Sequence, residues 1–221
     1  LAKIGEARQL IDSRSSADTE KARAMLLELQ PAADLAFAND DKAMAEFLWL
    51  LSLAHSDQGY PEDALKTAER LRTIVARIGI YSRWLAQIDV NIGVYLSSLD
   101  RNAEAIASTL RALPVHTKAY GKNDPRVGMI YLNLGTYHEQ LSEFDKALAA
   151  YRKALDISIR AFGENHIETA PILDSMGSVL DRLHRSEEAL EFYHKATPAF
   201  LAAYGEGHPL YGRHLSDMAT V

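Results

Sequence analysis

The chain has 221 residues, of which 48% are hydrophobic, with no cysteine and a formal net charge of −6. The absence of cysteine excludes disulfides, thiolate metal sites and cysteine nucleophiles. The acidic balance argues against nucleic acid as a partner, since proteins neutralise phosphates with Lys and Arg. Charged residues interrupt every apolar run, as Glu46 does within 43–53, so we expect no membrane insertion. Leu1 lies inside a predicted helix without an initiator Met, and we expect a piece of a longer protein located in the cytoplasm.

A small residue recurs along the chain at intervals of 41 to 42 residues. This residue is an alanine in every copy, and about fifteen residues after it an apolar residue followed by a small one ends the unit. The clearest copies are Tyr120-Gly121, Phe162-Gly163 and Tyr204-Gly205, which lie 42 residues apart. A fixed period of this size predicts one helical supersecondary unit stacked on copies of itself. The recurring alanines are Ala22, Ala64, Ala105, Ala147 and Ala189.

Each unit is predicted to form two helices, A and then B, because apolar residues recur at spacings of three and four. Within 125–140 this stripe comprises Val127, Ile130, Leu134 and Tyr137. No segment alternates as a strand does, so the sequence predicts an all-α chain. The predicted A helices are 1–13, 41–56, 81–98, 125–140, 167–183 and 209–221, and the predicted B helices are 18–38, 61–78, 102–120, 144–162 and 187–204.

The ends of the units carry residues that suit helix termini. Glycine after the aromatic residue suits the position just past a helix C-terminus. Asp124 and His208 each precede a proline, which is tolerated in the first turn of a helix, and Asp124 can also cap the free N–H groups there. Pro31, Pro114 and Pro198 fall inside the first, third and fifth B helices, where each removes a hydrogen bond and predicts a kink.

The Ala-Leu-x-x-Tyr-x-x-Ala run at 147–154, with Leu134-Gly135 upstream and Phe144 between them, resembles the tetratricopeptide repeat. The 42-residue unit and the Tyr-Gly-x-x-His-Pro junction are similar to the long-repeat branch found in kinesin light chains and bacterial signalling proteins. The resemblance implies a right-handed superhelical solenoid of antiparallel helix pairs, as a single array over residues 1–221. The repeats would be 1–38, 41–79, 81–121, 125–163 and 167–205, followed by a terminal helix at 209–221.

The resemblance also implies a binding surface, because in this family the A helices line a concave face that binds peptides. Asn91 and Asn133 lie where related scaffolds use Asn to hold a ligand's main chain, although each could be a solvated helix position. Trp49 could anchor a peptide or belong to the core. Relatives that clamp a C-terminal carboxylate place Lys and Arg beside such Asn residues; here those positions are not basic. The candidates are Trp49, Gln87, Asn91, Val94, Ser98, Met129, Asn133, Thr136, Gln140, Ser175, Ser178 and Arg182, with Pro171 at the same phase.

The implied function is a non-catalytic protein-interaction scaffold that binds a peptide or partner-protein segment in this groove, without a cofactor. A sensory or regulatory domain of a larger signalling protein is the alternative, closing around a small ligand or signal peptide near Trp49 or Trp84. A third possibility is self-association. Tyr211, Leu215 and Met218 form an apolar stripe on the last helix that nothing later in the chain covers.

No arrangement of residues predicts a catalytic or metal site. Glu191 and His194 lie three apart on one helix, but a di-iron site needs a second such pair. His208 and His214 lie six apart and do not share a helix face. His166 and His208 recur at the junction between units, which indicates a capping role. Neither a nucleophile elbow nor a phosphate-binding glycine loop is present.

Overall fold

The computed structural model describes residues 2–13, 15–79 and 82–221, and within them the chain forms eleven α-helices and no strand. The all-α prediction is therefore confirmed. Helices that follow one another pack together within each unit, as α3 does with α4 and α7 with α8. No described helix is long and apolar enough to span a bilayer. The helices are α1 (Ala2–Asp12), α2 (Ser16–Ala36), α3 (Asp41–Asp57), α4 (Pro61–Ile78), α5 (Ser82–Ser98), α6 (Asn102–Tyr120), α7 (Pro125–Gln140), α8 (Phe144–Phe162), α9 (Ala170–Arg182), α10 (Ser186–Tyr204) and α11 (Pro209–Ala219).

The helix bounds agree with the predicted ones to within two residues, except at the start of α9. The predicted starts at Leu1 and Tyr81 lie outside the described residues. Helix α9 begins at Ala170 instead of residue 167, with a proline in its first turn. The hydroxyl of Thr169 donates to the Gly163 carbonyl at 2.8 Å. This bond holds the intervening residues in turns, so the helix starts only after them.

The junction histidines cap their turns, as the sequence predicted. The Nδ1 atom of His166 accepts a hydrogen bond from the backbone N–H of Glu168 at 3.1 Å. The same atom of His208 accepts from the N–H of Leu210 at 3.2 Å. The imidazole of His208 therefore replaces the side-chain oxygen that usually caps a helix N-terminus, here that of α11. His166 makes the same bond within the turns that precede α9, whose N-cap residue is Thr169.

Asp124 plays the equivalent role at the start of α7. Its Oδ1 atom accepts from the backbone N–H of Arg126 at 2.9 Å, and its carboxylate also receives the Arg126 guanidinium. These hydrogen bonds lower the pKa of Asp124 to about 2. The guanidinium carbon of Arg126 lies 3.4 Å from the ring centroid of Tyr120, so a cation–π contact ties the end of α6 to the start of α7.

The glycines that follow the B helices occupy backbone conformations that favour glycine. Gly163 has φ of 99° and Gly205 has φ of 77°, and the N–H of each donates to the last turn of the helix before it. A side chain at either position would be strained. The three predicted mid-helix prolines lie inside α2, α6 and α10, each of which continues past its proline. The predicted kinks stay predictions.

The chain divides into two compact units, residues 1–115 and 116–221, and the division falls within α6. Each unit has its own apolar core. In the second unit, the tyrosine of each Ala-Leu-x-x-Tyr-x-x-Ala run lies beneath a glycine of the preceding helix. Fully buried side chains of the first unit include Leu26, Phe47, Leu48, Leu51, Leu71 and Ile88, and those of the second include Ile130, Tyr151, Leu173, Met176 and Leu180.

The apolar stripe of the last helix packs on its own chain. Tyr211 is 9% exposed and joins a core cluster with Phe200, against which Leu215 also packs. Met218 packs against a second cluster that contains Tyr193. Nothing later in the chain covers this stripe, but the preceding helices α9 and α10 pack against it, so it is not a free apolar surface. Self-association of the chain stays a prediction, without an uncovered stripe on α11 to support it.

Candidate functional site

In the second unit, the predicted binding residues lie along one side of α7 and α9. Met129 is 49% exposed and Gln140 is exposed, whereas Asn133 and Thr136 between them are half-buried. Successive positions differ by three or four residues, which places them on one helix face. We call this surface the α7/α9 stripe; it comprises Met129, Asn133, Thr136, Gln140, Ser175, Ser178 and Arg182.

A hydrogen-bond network organises the middle of the α7/α9 stripe around Glu139. The hydroxyl of Tyr151 donates to Oε2 of Glu139 at 2.7 Å and lies 3.3 Å from the Thr136 hydroxyl. Ser178 donates to Oε1 of Glu139 at 3.4 Å, and Arg182 forms an ion pair with the same oxygen at 3.6 Å. Three predicted residues from α7 and α9 are thereby brought together.

Glu139 and the hydroxyl of Tyr151 were missed by the sequence prediction. Burial raises the pKa of Tyr151, and the negative charge of Glu139 raises it further, so the phenol stays protonated and donates. A buried tyrosine usually needs a partner for its hydroxyl. That requirement, applied to the repeat tyrosine, was the signal that could have identified Glu139 from the sequence.

An apolar pocket opens at one end of the α7/α9 stripe. It has a volume of about 220 Å³ and lies between α7, α8 and α9. Met129 connects the pocket to the stripe, because it belongs to both. The sequence prediction included the two residues Met129 and Pro171 but not the pocket as a whole, because its floor comes from α8. The remaining apolar lining includes Leu132, Ala154, Ile157, Phe162 and Ile172.

Asn91 and Asn133, which have the same predicted role, differ in their hydrogen bonding. The side chain of Asn133 forms no hydrogen bond within the described part of the chain, so both its donors and its acceptor are free. In the first unit, Oδ1 of Asn91 accepts from Nε2 of Gln87 at 3.2 Å. On the same helix, the hydroxyl of Ser98 donates to the carbonyl of Val94 at 3.2 Å. The predicted binding residues of α5 therefore use part of their hydrogen-bonding capacity within their own helix.

The two tryptophans meet in the first unit. The rings of Trp49 on α3 and Trp84 on α5 are 6.5 Å apart at 66° to each other, in an edge-to-face contact. Both side chains are half-buried, so neither is a fully enclosed core residue. The predicted candidate Trp49 therefore lies beside an aromatic partner and keeps part of its surface free.

Comparison with solved structures shows the same fold at low sequence identity. A putative kinesin light chain with nearly identical TPR-like repeats from Podosopora anserina is 12% identical with a TM-score of 0.73, covering 91% of this chain and 94% of that one. The apo quorum sensor NprR from B. thuringiensis is 16% identical with a TM-score of 0.79, covering 99% and 58%. A Rap protein complexed with Competence and Sporulation Factor is 14% identical with a TM-score of 0.69, covering 87% and 52%.

Comparison by sequence gives a match to one family profile. No curated protein matches the chain significantly. The profile described as tetratricopeptide repeat matches residues 84–160 and 141–202. These two matches together extend over more than half of the chain, and they include both helix pairs that carry the α7/α9 stripe. The chain therefore belongs to the tetratricopeptide repeat family.

Proposed function

We propose that the chain is a non-catalytic protein-interaction module and that the α7/α9 stripe binds a peptide or partner-protein segment. One observation supports this proposal above the others: an apolar pocket lies one helical turn from an asparagine whose amide is unused. The pocket suits one apolar side chain of a partner. The amide of Asn133 can donate to and accept from a peptide backbone at the same time.

The network around Glu139 supports the proposal further, because it fixes the polar part of the stripe before a partner arrives. Thr136 donates to the carbonyl of Leu132 at 3.2 Å and also contacts the Tyr151 hydroxyl. Arg182 lies over the ring of Phe144 at 5.0 Å while it pairs with Glu139. A surface held in this way loses little side-chain entropy on binding, which leaves more of the contact energy as affinity.

The proposal can be tested by selecting binders from a random dodecapeptide library with the wild-type chain. The affinities of the selected peptides would then be measured by fluorescence anisotropy. Met129→Glu places a charge at the mouth of the apolar pocket and should abolish binding. Asn133→Ala should weaken it roughly fivefold, the effect of losing one or two hydrogen bonds. Circular dichroism must first show that both variants keep their helices.

Leu201→Glu on α10 is the matched control for the charge, since Leu201 is 38% exposed and lies outside the stripe and its pocket. It should leave binding unchanged. Peptides that bind all three variants as they bind the wild type would refute the α7/α9 assignment. Selection of no peptide at all would reject the peptide-binding function.

A sensory or regulatory domain is a second candidate, and the tryptophan pair favours it. Trp49 and Trp84 are the two tryptophans of the chain, they touch, and both are half-buried. The similarity of fold to a quorum sensor and to a Rap protein in complex with its factor agrees with this candidate. In the same binding experiment, tryptophan emission can be followed as peptide is added. A shift that also occurs in Met129→Glu would favour recognition at the tryptophan pair instead of the α7/α9 stripe.

A further inference from the structure

A carboxylate replaces an aromatic residue in the third repeat, at Asp89 on α5. The same position of the neighbouring repeats holds Phe47 and Tyr131. The Asp89 side chain is only 5% exposed, and a buried carboxylate costs free energy unless it is paired. Nε of Arg72 on α4 donates to Oδ1 of Asp89 at 2.8 Å, and a terminal nitrogen of Arg111 on α6 donates to the same oxygen at 2.9 Å. One buried carboxylate therefore holds guanidinium groups from two different helices.

Both arginines line a polar cleft of about 500 Å³ between α4, α5 and α6. Their side chains are 36% and 48% exposed, so each guanidinium is buried on the side of Asp89 and open on the side of the cleft. Within the described residues, the two terminal nitrogens of Arg72 form no hydrogen bond. Two positive charges also face the single negative charge of Asp89. An oxyanion in the cleft can therefore accept two hydrogen bonds from Arg72 while Asp89 keeps the guanidinium in place.

A carboxylate without a partner lines the same cleft. Glu69 lies three residues before Arg72 on α4, a spacing at which the two side chains are neighbours on the helix surface. Arg72 pairs with Asp89 instead, and Glu69 forms no side-chain hydrogen bond and no ion pair within the described residues. The other acid of the cleft, Glu104, is held through both of its oxygens by Arg101. The cleft thus presents donors of Arg72 beside the acceptors of Glu69.

A ligand that carries a carboxylate and an ammonium group on the same carbon matches both features. Its carboxylate can accept from Arg72, and its ammonium group can donate to Glu69. Ile92 and Leu96 add apolar lining for a side chain, and the volume lies in the range of small-molecule sites, roughly 300–1,000 Å³. A simple anion such as phosphate suits the cleft less well, because Glu69 would repel it.

We propose that this cleft binds a free α-amino acid. All of its lining residues belong to the first unit, whereas the α7/α9 stripe belongs to the second. The amino-acid site therefore does not depend on the proposed function, and either can fail without the other.

Isothermal titration of the wild-type chain with each common L-amino acid in turn tests this site, and at least one should give saturable binding. The two charged groups of that amino acid are then removed one at a time. Amidation removes the charge of the carboxylate, and N-acetylation removes the charge of the ammonium group. Each change should weaken binding about tenfold, because it replaces a charge-assisted hydrogen bond by a neutral one. Inorganic phosphate, titrated in parallel, should bind more weakly than the amino acid.

Two variants connect this binding to the cleft. Arg72→Lys keeps a positive charge beside Asp89 but removes the forked donor, so it should weaken the amino acid about tenfold. Glu69→Gln should weaken the amino acid about tenfold but should not weaken its N-acetyl derivative, which has no ammonium group to lose. Arg70→Lys is the matched control and should change nothing, because Arg70 lies on the same helix, pairs with Asp34 at 2.6 Å and does not line the cleft.

Circular dichroism must show that each variant keeps its helices. If Arg72→Lys does not, Glu69→Gln decides, since Glu69 is exposed and makes no contact that the fold would lose. Failure of every amino acid to bind would overturn the proposal. Equal affinities of the wild type and Glu69→Gln would do the same, as would phosphate that binds more tightly than any amino acid.

Discussion

Gly135 lets a tyrosine pass directly beneath α7. A Cβ atom at this position would lie 2.3 Å from Cε1 and 2.4 Å from Cδ1 of Tyr151, and Tyr151 is fully buried. Overpacking at this position should cost about 1–3 kcal/mol, and the gain in helix propensity offsets about 1 kcal/mol of that cost. We therefore expect Gly135→Ala to destabilise the chain by up to about 2 kcal/mol. Urea unfolding followed by circular dichroism measures the change.

Two further glycines provide controls for this prediction. At Gly177 the Cβ atom would be 3.0 Å from the ring of Tyr193, so Gly177→Ala should cost less than Gly135→Ala. At Gly212 nothing lies within 4 Å, and Gly212→Ala should stabilise α11 slightly through helix propensity alone. Equal effects of the three substitutions would contradict the packing argument.

At the scale of single residues, the sequence predicted positions better than roles. Residue spacing placed Asn91 and Asn133 at the same phase of α5 and α7. It could not distinguish them, because the difference comes from a neighbour: Gln87 bonds Asn91, and nothing comparable bonds Asn133. The identity of a hydrogen-bond partner depends on side-chain rotamers, which a repeat period does not specify.

At the scale of single elements, one buried histidine adds polar contacts to the apolar packing of α11. His214 is 1% exposed, and its two ring nitrogens contact Asp174 on α9 at 2.6 Å and Thr197 on α10 at 2.9 Å. The ring also stacks on Phe200 with centroids 4.9 Å apart. A single side chain thus joins the last helix to both helices of the pair before it.

We expect His214→Ala to release α11 while the rest of the second unit stays folded. The substitution leaves the half-buried carboxylate of Asp174 without its partner and should cost roughly 2 kcal/mol. Hydrogen exchange should then accelerate across α11 but not across α7 and α8. Ser216→Ala, at an exposed position of the same helix, should leave exchange unchanged. Faster exchange throughout the second unit would show that His214 supports the whole unit instead of one helix.

Helix bounds were the most predictable property of the chain, and the exceptions have local causes. Apolar spacing and terminal residues predicted α4, α6, α7 and α8 without error. The start of α9 was wrong because the Thr169 hydroxyl bonds back to Gly163, a contact that follows from the fold of the junction. The apolar stripe of α11 was visible in the sequence, but the sequence could not show that the preceding helix pair covers it.

At the scale of the whole molecule, a single repeat array implies that the two units unfold together. Repeat arrays unfold cooperatively when the interfaces between neighbouring units are strong enough. Both tryptophans lie in the first unit, so their fluorescence reports that unit alone, whereas circular dichroism reports all the helices. For a single array, we expect the two signals to change at the same urea concentration.

Gly135→Ala makes this test decisive, because it destabilises the second unit without touching a tryptophan. In a single array, the unfolding midpoint reported by Trp49 and Trp84 should fall together with the midpoint from circular dichroism, since loss of one unit removes the neighbour that stabilises the other. Gly212→Ala serves as the control and should not lower the tryptophan midpoint. A tryptophan midpoint that stays fixed while the second unit melts earlier would show two independently folding units, and the single-array prediction would then be wrong.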